Sequence, residues 1–384
     1  MKKLLILGHA PLTAGHPDYG RVTRYPGRWV VDQALALAKY SQYDVTLVTL
    51  VKGATQDYEQ VNNGLRIVYL KAQPRFRFWT LFLWDNYRLR RFIAQEKPDL
   101  IHAHGIEDAY ALAVYKARIP KLLTLQCLYA DYNEKNPVEW YSVAHLIKWN
   151  EGRALKRFES VIVKSEQFAR VMQQYYPNLK IEIVPNTLSS EFLEVSRQKK
   201  QLNKLAFVGS LIPRKGLHVI SEALETIGSP IELDLHVYGY GGESDYAKKE
   251  FSKIRAAGHN IIDHGCVNAE ELAYELATSN MLIAPSYAET FGNQVIEAML
   301  CQCHCIVSND TGMADNVRKY GHGTIIPQKG SKEIADAILL QIKEFDPEKE
   351  RLSRALAREK VVQELGPQEI ASQLLELFHQ KLEK

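Results

Sequence analysis

Short runs of consecutive apolar residues alternate with longer stretches of helical period from one end of this chain to the other. A run such as Leu4-Leu5-Ile6-Leu7 suits a strand buried on both faces, and strands alternating with helices build a parallel sheet covered on each side. In the first half the pattern predicts strands at Lys3–Leu7, Val45–Leu50, Leu65–Leu70, Leu100–Ala103, Leu122–Leu125, Val161–Val163 and Ile181–Val184. Helices are predicted at Trp29–Tyr40, Thr80–Gln95 and Ala144–Phe158. A polar stretch from Ser189 to Lys204, containing Arg197-Gln198-Lys199-Lys200-Gln201, interrupts the alternation and reads as a linker.

The alternation restarts with strands at Leu205–Val208, Leu233–Val237, Asn260–Ile262, Met281–Ala284, Cys305–Val307 and Thr324–Ile326. Helices at Lys332–Glu344, Lys349–Glu364 and Gln368–Gln380 close the chain. The expected fold class is therefore α/β, two doubly wound Rossmann-like domains facing across a cleft. The expected boundaries are 1–188 for the first domain, 189–204 for the linker and 205–366 for the second domain. Residues 367–384 are expected to form a helix packing back on the first. Ligands of such sheets collect at the carboxyl ends of the strands.

Composition narrows this picture only a little. With 384 residues the chain is long enough for two or three domains. Its 48 Lys and Arg against 45 Asp and Glu leave a net charge of +3, too small to imply a nucleic-acid polymer as partner. The apolar-rich stretch from Phe78 to Trp84 is far too short to cross a bilayer. The start resembles a signal peptide briefly, but its apolar run stops after four residues, so a first strand is expected. Five cysteines, an odd number with three crowded together, suggest no disulfide framework and a cytoplasmic setting.

Two segments carry chemistry. In Phe207-Val208-Gly209-Ser210-Leu211-Ile212-Pro213-Arg214-Lys215-Gly216 a strand turns at Gly209 into a helix start flanked by Arg214 and Lys215. Free N–H groups and the helix dipole add positive potential there, which suits a phosphate; two solvated cations on a turn are the plain alternative. In Ala284-Pro285-Ser286-Tyr287-Ala288-Glu289-Thr290-Phe291-Gly292-Asn293-Gln294-Val295-Ile296-Glu297-Ala298-Met299, a loop carboxylate precedes a helix that carries a second one. Glu289 and Glu297 can accept hydrogen bonds from different hydroxyls of one extended ligand, while N–H groups of Phe291, Gly292 and Asn293 meet an anion. A helix cap and an exposed ion pair would explain the two glutamates otherwise.

These motifs resemble the retaining glycosyltransferases of family four, which have the two-domain GT-B fold. The resemblance spans nearly the whole chain and is strongest from Leu205 to Pro327. It implies that Glu289 contacts the donor sugar, Glu297 the ribose of the nucleotide, and Lys215 the donor diphosphate. Where the family often has Gly-Arg, this chain has Gly209-Ser210, and Arg214 is expected to supply the missing charge. Gln302 and His304 stand where the family usually has a glycine and a proline. A left-handed Gln302 would cost about 1 kcal/mol relative to glycine, so a differently built turn is expected.

The stretch Cys301-Gln302-Cys303-His304-Cys305 invites a metal reading, but no second ligand cluster is near in sequence and buried, unmetallated cysteines are expected. The chain has no Asp-x-Asp, the metal–diphosphate motif of the other main glycosyltransferase fold. In Leu100-Ile101-His102-Ala103-His104 the two histidines are expected to diverge, only one reaching the cleft. The resemblance implies that this is His104, lining the donor-sugar site, with His102 structural. Gly27 is the best match to the family's glycine-rich loop. In Gly239-Tyr240-Gly241-Gly242-Glu243-Ser244 the third glycine of a dinucleotide fingerprint is missing, and Gly239 is expected to shape the nucleotide-base site. The arginine-aromatic strip Arg75 to Arg91 suits a peripheral contact with the inner membrane face; a helix with its arginines in water explains it equally.

The combined expectation is a metal-independent enzyme without a cofactor. It would move a sugar from a nucleoside-diphosphate donor to a hydroxyl of a glycan, lipid or small-molecule acceptor, with retention. A phosphorylase, an epimerase, or a nucleotide-sugar-binding protein without turnover are the alternatives.

Overall fold

The computed structural model describes the chain except residues 14, 20–27, 73–76, 78, 79, 81, 136–141, 197, 229, 230 and 384. It divides into two compact units, Met1–Thr187 with Pro367–Lys384, and Leu188–Gly366.

Unit one is built on strands β1 (Lys2–Leu7), β2 (Tyr43–Val51), β3 (Tyr58–Asn62), β4 (Leu65–Lys71), β5 (Leu100–His104), β6 (Lys121–Thr124), β7 (Ser160–Val163) and β8 (Lys180–Ile183). They lie in the order β3-β4-β2-β1-β5-β6-β7-β8. All neighbours run parallel except β3, which pairs antiparallel with β4 at the edge. The sequence pattern missed β3 because Tyr-Glu-Gln-Val-Asn is largely exposed and carries no apolar run. At the centre, Leu4 pairs with Val45 on one side and Leu100 on the other, all three buried. Helix Pro367–Leu382 belongs to this unit and packs on helix Trp29–Tyr40. Its Phe378 is fully buried, edge-on to Tyr43 and His102.

Unit two carries β9 (Gln201–Val208), β10 (Asp234–Tyr238), β11 (Asn260–Gly265), β12 (Ser279–Ala284), β13 (His304–Ser308) and β14 (Thr324–Ile326). The sheet is parallel throughout, in the order β11-β10-β9-β12-β13-β14. The chain thus winds outward one way from β9, then returns and winds the other way from β12. The stretch expected to be a bare linker is partly structured: Ser190–Glu194 is a short helix and β9 begins at Gln201, four residues before its apolar run. Gln201-Leu202-Asn203 hid that start, since these residues are exposed and make no apolar run.

The turn after helix Asn293–Leu300 is the left-handed one after all: Gln302 has φ 58°. Its carbonyl accepts from Arg354 Nη1 at 3.1 Å, and its N–H donates to Met299 O at 3.0 Å. The backbone bonds of the helix end hold a residue there that glycine would occupy with less strain. Gln302→Gly is expected to stabilise the chain by up to about 1 kcal/mol. A urea midpoint that moves to higher concentration with an unchanged slope would show this; an unchanged or lower midpoint would contradict it.

Candidate functional site

The winding of unit two reverses between β9 and β12, so the loops leaving these adjacent strands emerge side by side at the carboxyl edge. Such a switch point is where doubly wound sheets bind ligands. The first loop opens at Gly209 (φ 147°), and a Cβ on Gly239, in the loop after β10, would stand 2.0 Å from the Gly209 carbonyl oxygen. The chain then makes one 3-10 turn, Pro213–Lys215, and passes through Gly216 at φ 83°. A Cβ there would lie 2.5 Å from the Pro285 carbonyl oxygen. Glycine therefore lets the two switch-point loops touch by their backbones.

Their contact sets the charged groups. Arg214 accepts a hydrogen bond at its carbonyl from Tyr287 N–H, 3.0 Å, and its guanidinium donates to Ala288 O at 2.7 Å. Lys215 Nζ pairs directly with Glu289 Oε1, and Arg214 Nη1 lies 4.0 Å from the same oxygen. Both side chains of the Lys215–Glu289 pair are mostly buried. Lys215 and Glu289, 74 residues apart, are thus brought together, with Arg214 beside them. The Glu289 carbonyl accepts from Gly312 N–H at 2.8 Å, and Asn316 Nδ2 donates to Phe291 O at 2.8 Å. Gly292 (φ 79°) then opens helix Asn293–Leu300, and a Cβ on it would stand 2.2 Å from Met313 Cγ. Glu297 sits partly exposed on the second turn of that helix. The first-turn N–H groups at Asn293 face out of its amino-terminal end, the end nearest Glu289.

Several supporting residues were not legible in the sequence. His218 bridges two phenols, Nδ1 at 2.9 Å from Tyr246 Oη and Nε2 at 2.6 Å from Tyr287 Oη. It ties the helix after Gly216 to the loop that carries Glu289. Gly312 and Asn316 brace the acidic loop from behind. None belongs to a motif; only the folded chain assembles them.

In unit one the corresponding switch point lies between β1 and β5, and His104 ends β5 there. The two histidines expected to diverge do not: residues two apart on a strand share a face, and the rings of His102 and His104 stand 4.2 Å apart. His102 Nε2 lies 2.7 Å from Thr124 Oγ1, a structural bond. His104 is buried with neither ring nitrogen hydrogen-bonded, and Lys164 Nζ is buried without a partner as well. Burial first, then the neighbouring His102 and Lys164, holds His104 neutral. Burial pushes the Lys164 ammonium down to about 7. Gly27 lies outside the described residues.

The strip from Arg75 to Arg91 is only partly described, and its arginines are not simply in water. Arg77 is buried, donating from Nε to Asp85 at 2.8 Å and from Nη2 to Asp108 at 2.7 Å. Arg90 donates to the carbonyls of Leu112 and Ala113. Leu83, Trp84 and Tyr87 are exposed on helix Leu83–Glu96. No helix among the described residues is long and apolar enough to cross a membrane. The cysteines at 301, 303 and 305 are buried free thiols.

Comparison with known proteins agrees in both halves. The family model described as Glycosyl transferases group 1 matches residues 189–358, and that described as Glycosyltransferase Family 4 matches 26–192. An uncharacterized glycosyltransferase of Methanocaldococcus jannaschii is 21% identical over 309 residues, covering 73% of this chain and 75% of the relative. Among solved structures, a sucrose-phosphate synthase from Thermosynechococcus elongatus superposes with TM-score 0.79 at 19% identity, over 99% of both chains. The HepE protein of Anabaena, solved with UDP and glucose, has TM-score 0.71 at 18% identity, over 99% of this chain and 100% of its own. At these identities the structural likeness speaks for the fold, GT-B, alone.

The buried Lys164 yields a signed expectation. Its folded pKa, about 7, lies below its ordinary 10.5, so the unfolded chain binds the extra proton between those values. Stability should therefore rise as pH climbs through that window, and Lys164→Met should raise it at pH 7 and flatten the dependence. Urea unfolding at pH 7 and 9 would measure both; parallel profiles for the two proteins would refute the assignment.

Proposed function

We propose a reaction from one premise, that this chain belongs to glycosyltransferase family 4: it moves a sugar from a nucleoside-diphosphate donor to an acceptor hydroxyl with retention of configuration. The Lys215–Glu289 pair at the β9/β12 switch point carries the reading. In a nucleoside-diphosphate sugar the terminal phosphate is bonded to the anomeric carbon. A cation for the phosphate and a carboxylate for the sugar hydroxyls must then be neighbours, as these two are. The HepE structure with UDP and glucose supports the donor class by likeness of fold.

As the glycosidic bond breaks, negative charge grows on the leaving diphosphate. In this reading Lys215, Arg214 and the N–H groups at Gly292 and Asn293 stabilise it without a metal ion. One such preorganised partner is worth roughly 3–4 kcal/mol, or 10²–10³ in rate. Glu289 orients the sugar and Glu297, a turn and a half into its helix, holds the ribose. Gly209 and Gly239, whose backbones touch, shape the nucleotide's berth, and Phe291 lines it. The departing phosphate accepts the acceptor's proton on the face it leaves, so no side-chain base is assigned.

Exposed Leu83, Trp84 and Tyr87, with Arg91, would lay helix Leu83–Glu96 on an anionic membrane. Co-sedimentation with anionic vesicles that Trp84→Ala weakens is the expected result; no sedimentation at low salt removes the idea.

Two measurements test the reaction. In a thermal-shift panel of UDP-, GDP-, ADP- and TDP-sugars, the true donor at about 100 times its dissociation constant should add roughly 2.7 kcal/mol of stability. Lys215→Ala should lower transfer at least about 10²-fold while its circular dichroism stays that of the parent. Near-normal turnover in that variant would overturn the assignment.

A further inference from the structure

Two imidazoles and a carboxylate converge around the start of β13, one of them, His304, from the Cys301–Cys305 stretch. His304 opens β13, His322 lies just before β14, and Glu350 sits on helix Pro347–Leu365. Each offers one ligating atom within 4.8 Å of those of the other two. The rings of His304 and His322 stand edge to face, 5.1 Å apart.

The hydrogen bonding of the two rings follows one scheme. His304 Nε2 meets Thr324 Oγ1 at 3.0 Å, and its Nδ1 is buried without a hydrogen-bond partner. His322 Nδ1 faces Ser353 Oγ at 3.4 Å, and its Nε2 is likewise buried and unpartnered. One nitrogen of each ring is held by a hydroxyl while the other keeps its lone pair unused. That division, with an outer partner orienting the ring, is what a metal-bound histidine requires. Leaving two buried nitrogens unsatisfied would otherwise cost stability for nothing.

We propose that His304, His322 and Glu350 form a binding site for a divalent transition-metal ion of the zinc type, placed at the amino-terminal edge of the unit-two sheet. Two neutral nitrogens and one carboxylate give three ligands, with a fourth position left for water. Arg354 stands beside the site, but its guanidinium is committed to Glu350 Oε2 at 2.8 Å, Gln302 O at 3.1 Å and Asn280 Oδ1 at 3.0 Å. Two imidazoles with a single carboxylate suit a zinc-type ion better than a hard cation that prefers oxygen ligands. Glu350 also borders a cavity of about 270 Å³ lined by Gln302, Phe345 and Arg354. Because β13 and β14 begin at this edge, the site lies at the opposite edge of the sheet from Lys215 and Glu289. It fastens helix Pro347–Leu365 to β13 and to the segment leading into β14, and takes no part in the transfer.

The test is zinc titration of the full chain by calorimetry and elemental analysis, with Mg²⁺ as the comparison. One Zn²⁺ per chain, no Mg²⁺ competition, and at least about a tenfold loss of affinity in His322→Ala are expected. Lys215→Ala should bind zinc as the parent does. Cobalt(II) on the unmodified chain reads the ligands without relying on a variant's folding: visible bands without a thiolate-to-cobalt charge-transfer band are expected. Failure to bind stoichiometrically, equal binding by a folded His322→Ala chain, or a thiolate band pointing to Cys303 or Cys305 would each overturn the site.

Discussion

The donor site proposed on the second unit rests on one close approach, the backbone of Gly216 against the carbonyl of Pro285. Two loops that follow separate strands are separated in sequence by about seventy residues, yet their charges act as one group only if the chains meet without a side chain between them. Gly216 in its left-handed conformation allows that, and a methyl group 2.5 Å from a carbonyl oxygen would not. The Arg214–Tyr287 and Arg214–Ala288 hydrogen bonds then hold the contact, and the Lys215–Glu289 pair sits on top of it. Strand order brings the loops to the same edge; glycine brings them into register.

How much of this could be read beforehand depends on the physical signal each feature leaves. Buried parallel strands need unbroken apolar runs, so the central strands of both sheets were plain from the pattern. Edge strand β3, half in water, left none, and the polar opening of β9 looked like linker for the same reason. The phosphate and sugar residues were legible because turn glycines, cations and carboxylates cluster locally around Gly209–Gly216 and Glu289–Glu297. His218, Asn316 and Gly312 were invisible because their roles are bonds between distant segments.

Two misreadings have simple causes. His102 and His104 are two apart on a strand, so the pleat sets them on one face, where they crowd instead of diverging. Arg77 sits in a polar-aromatic strip that suggests a solvated face, but Asp85 and Asp108 converge on it and let a guanidinium be buried with its charge matched. Gln302, by contrast, holds a left-handed turn that glycine would adopt with less strain.

The return of helix Pro367–Leu382 to the first unit has a consequence for how the protein is made. Unit two is one continuous segment, Leu188–Gly366, and can complete its sheet while the ribosome is still at work. Residues 1–187 of unit one precede that segment, but Phe378 cannot seat between Tyr43 and His102 until all of unit two has been synthesised. Unit one is therefore finished only after unit two, and the flank beside Trp29–Tyr40 stays uncovered while the whole of unit two is made.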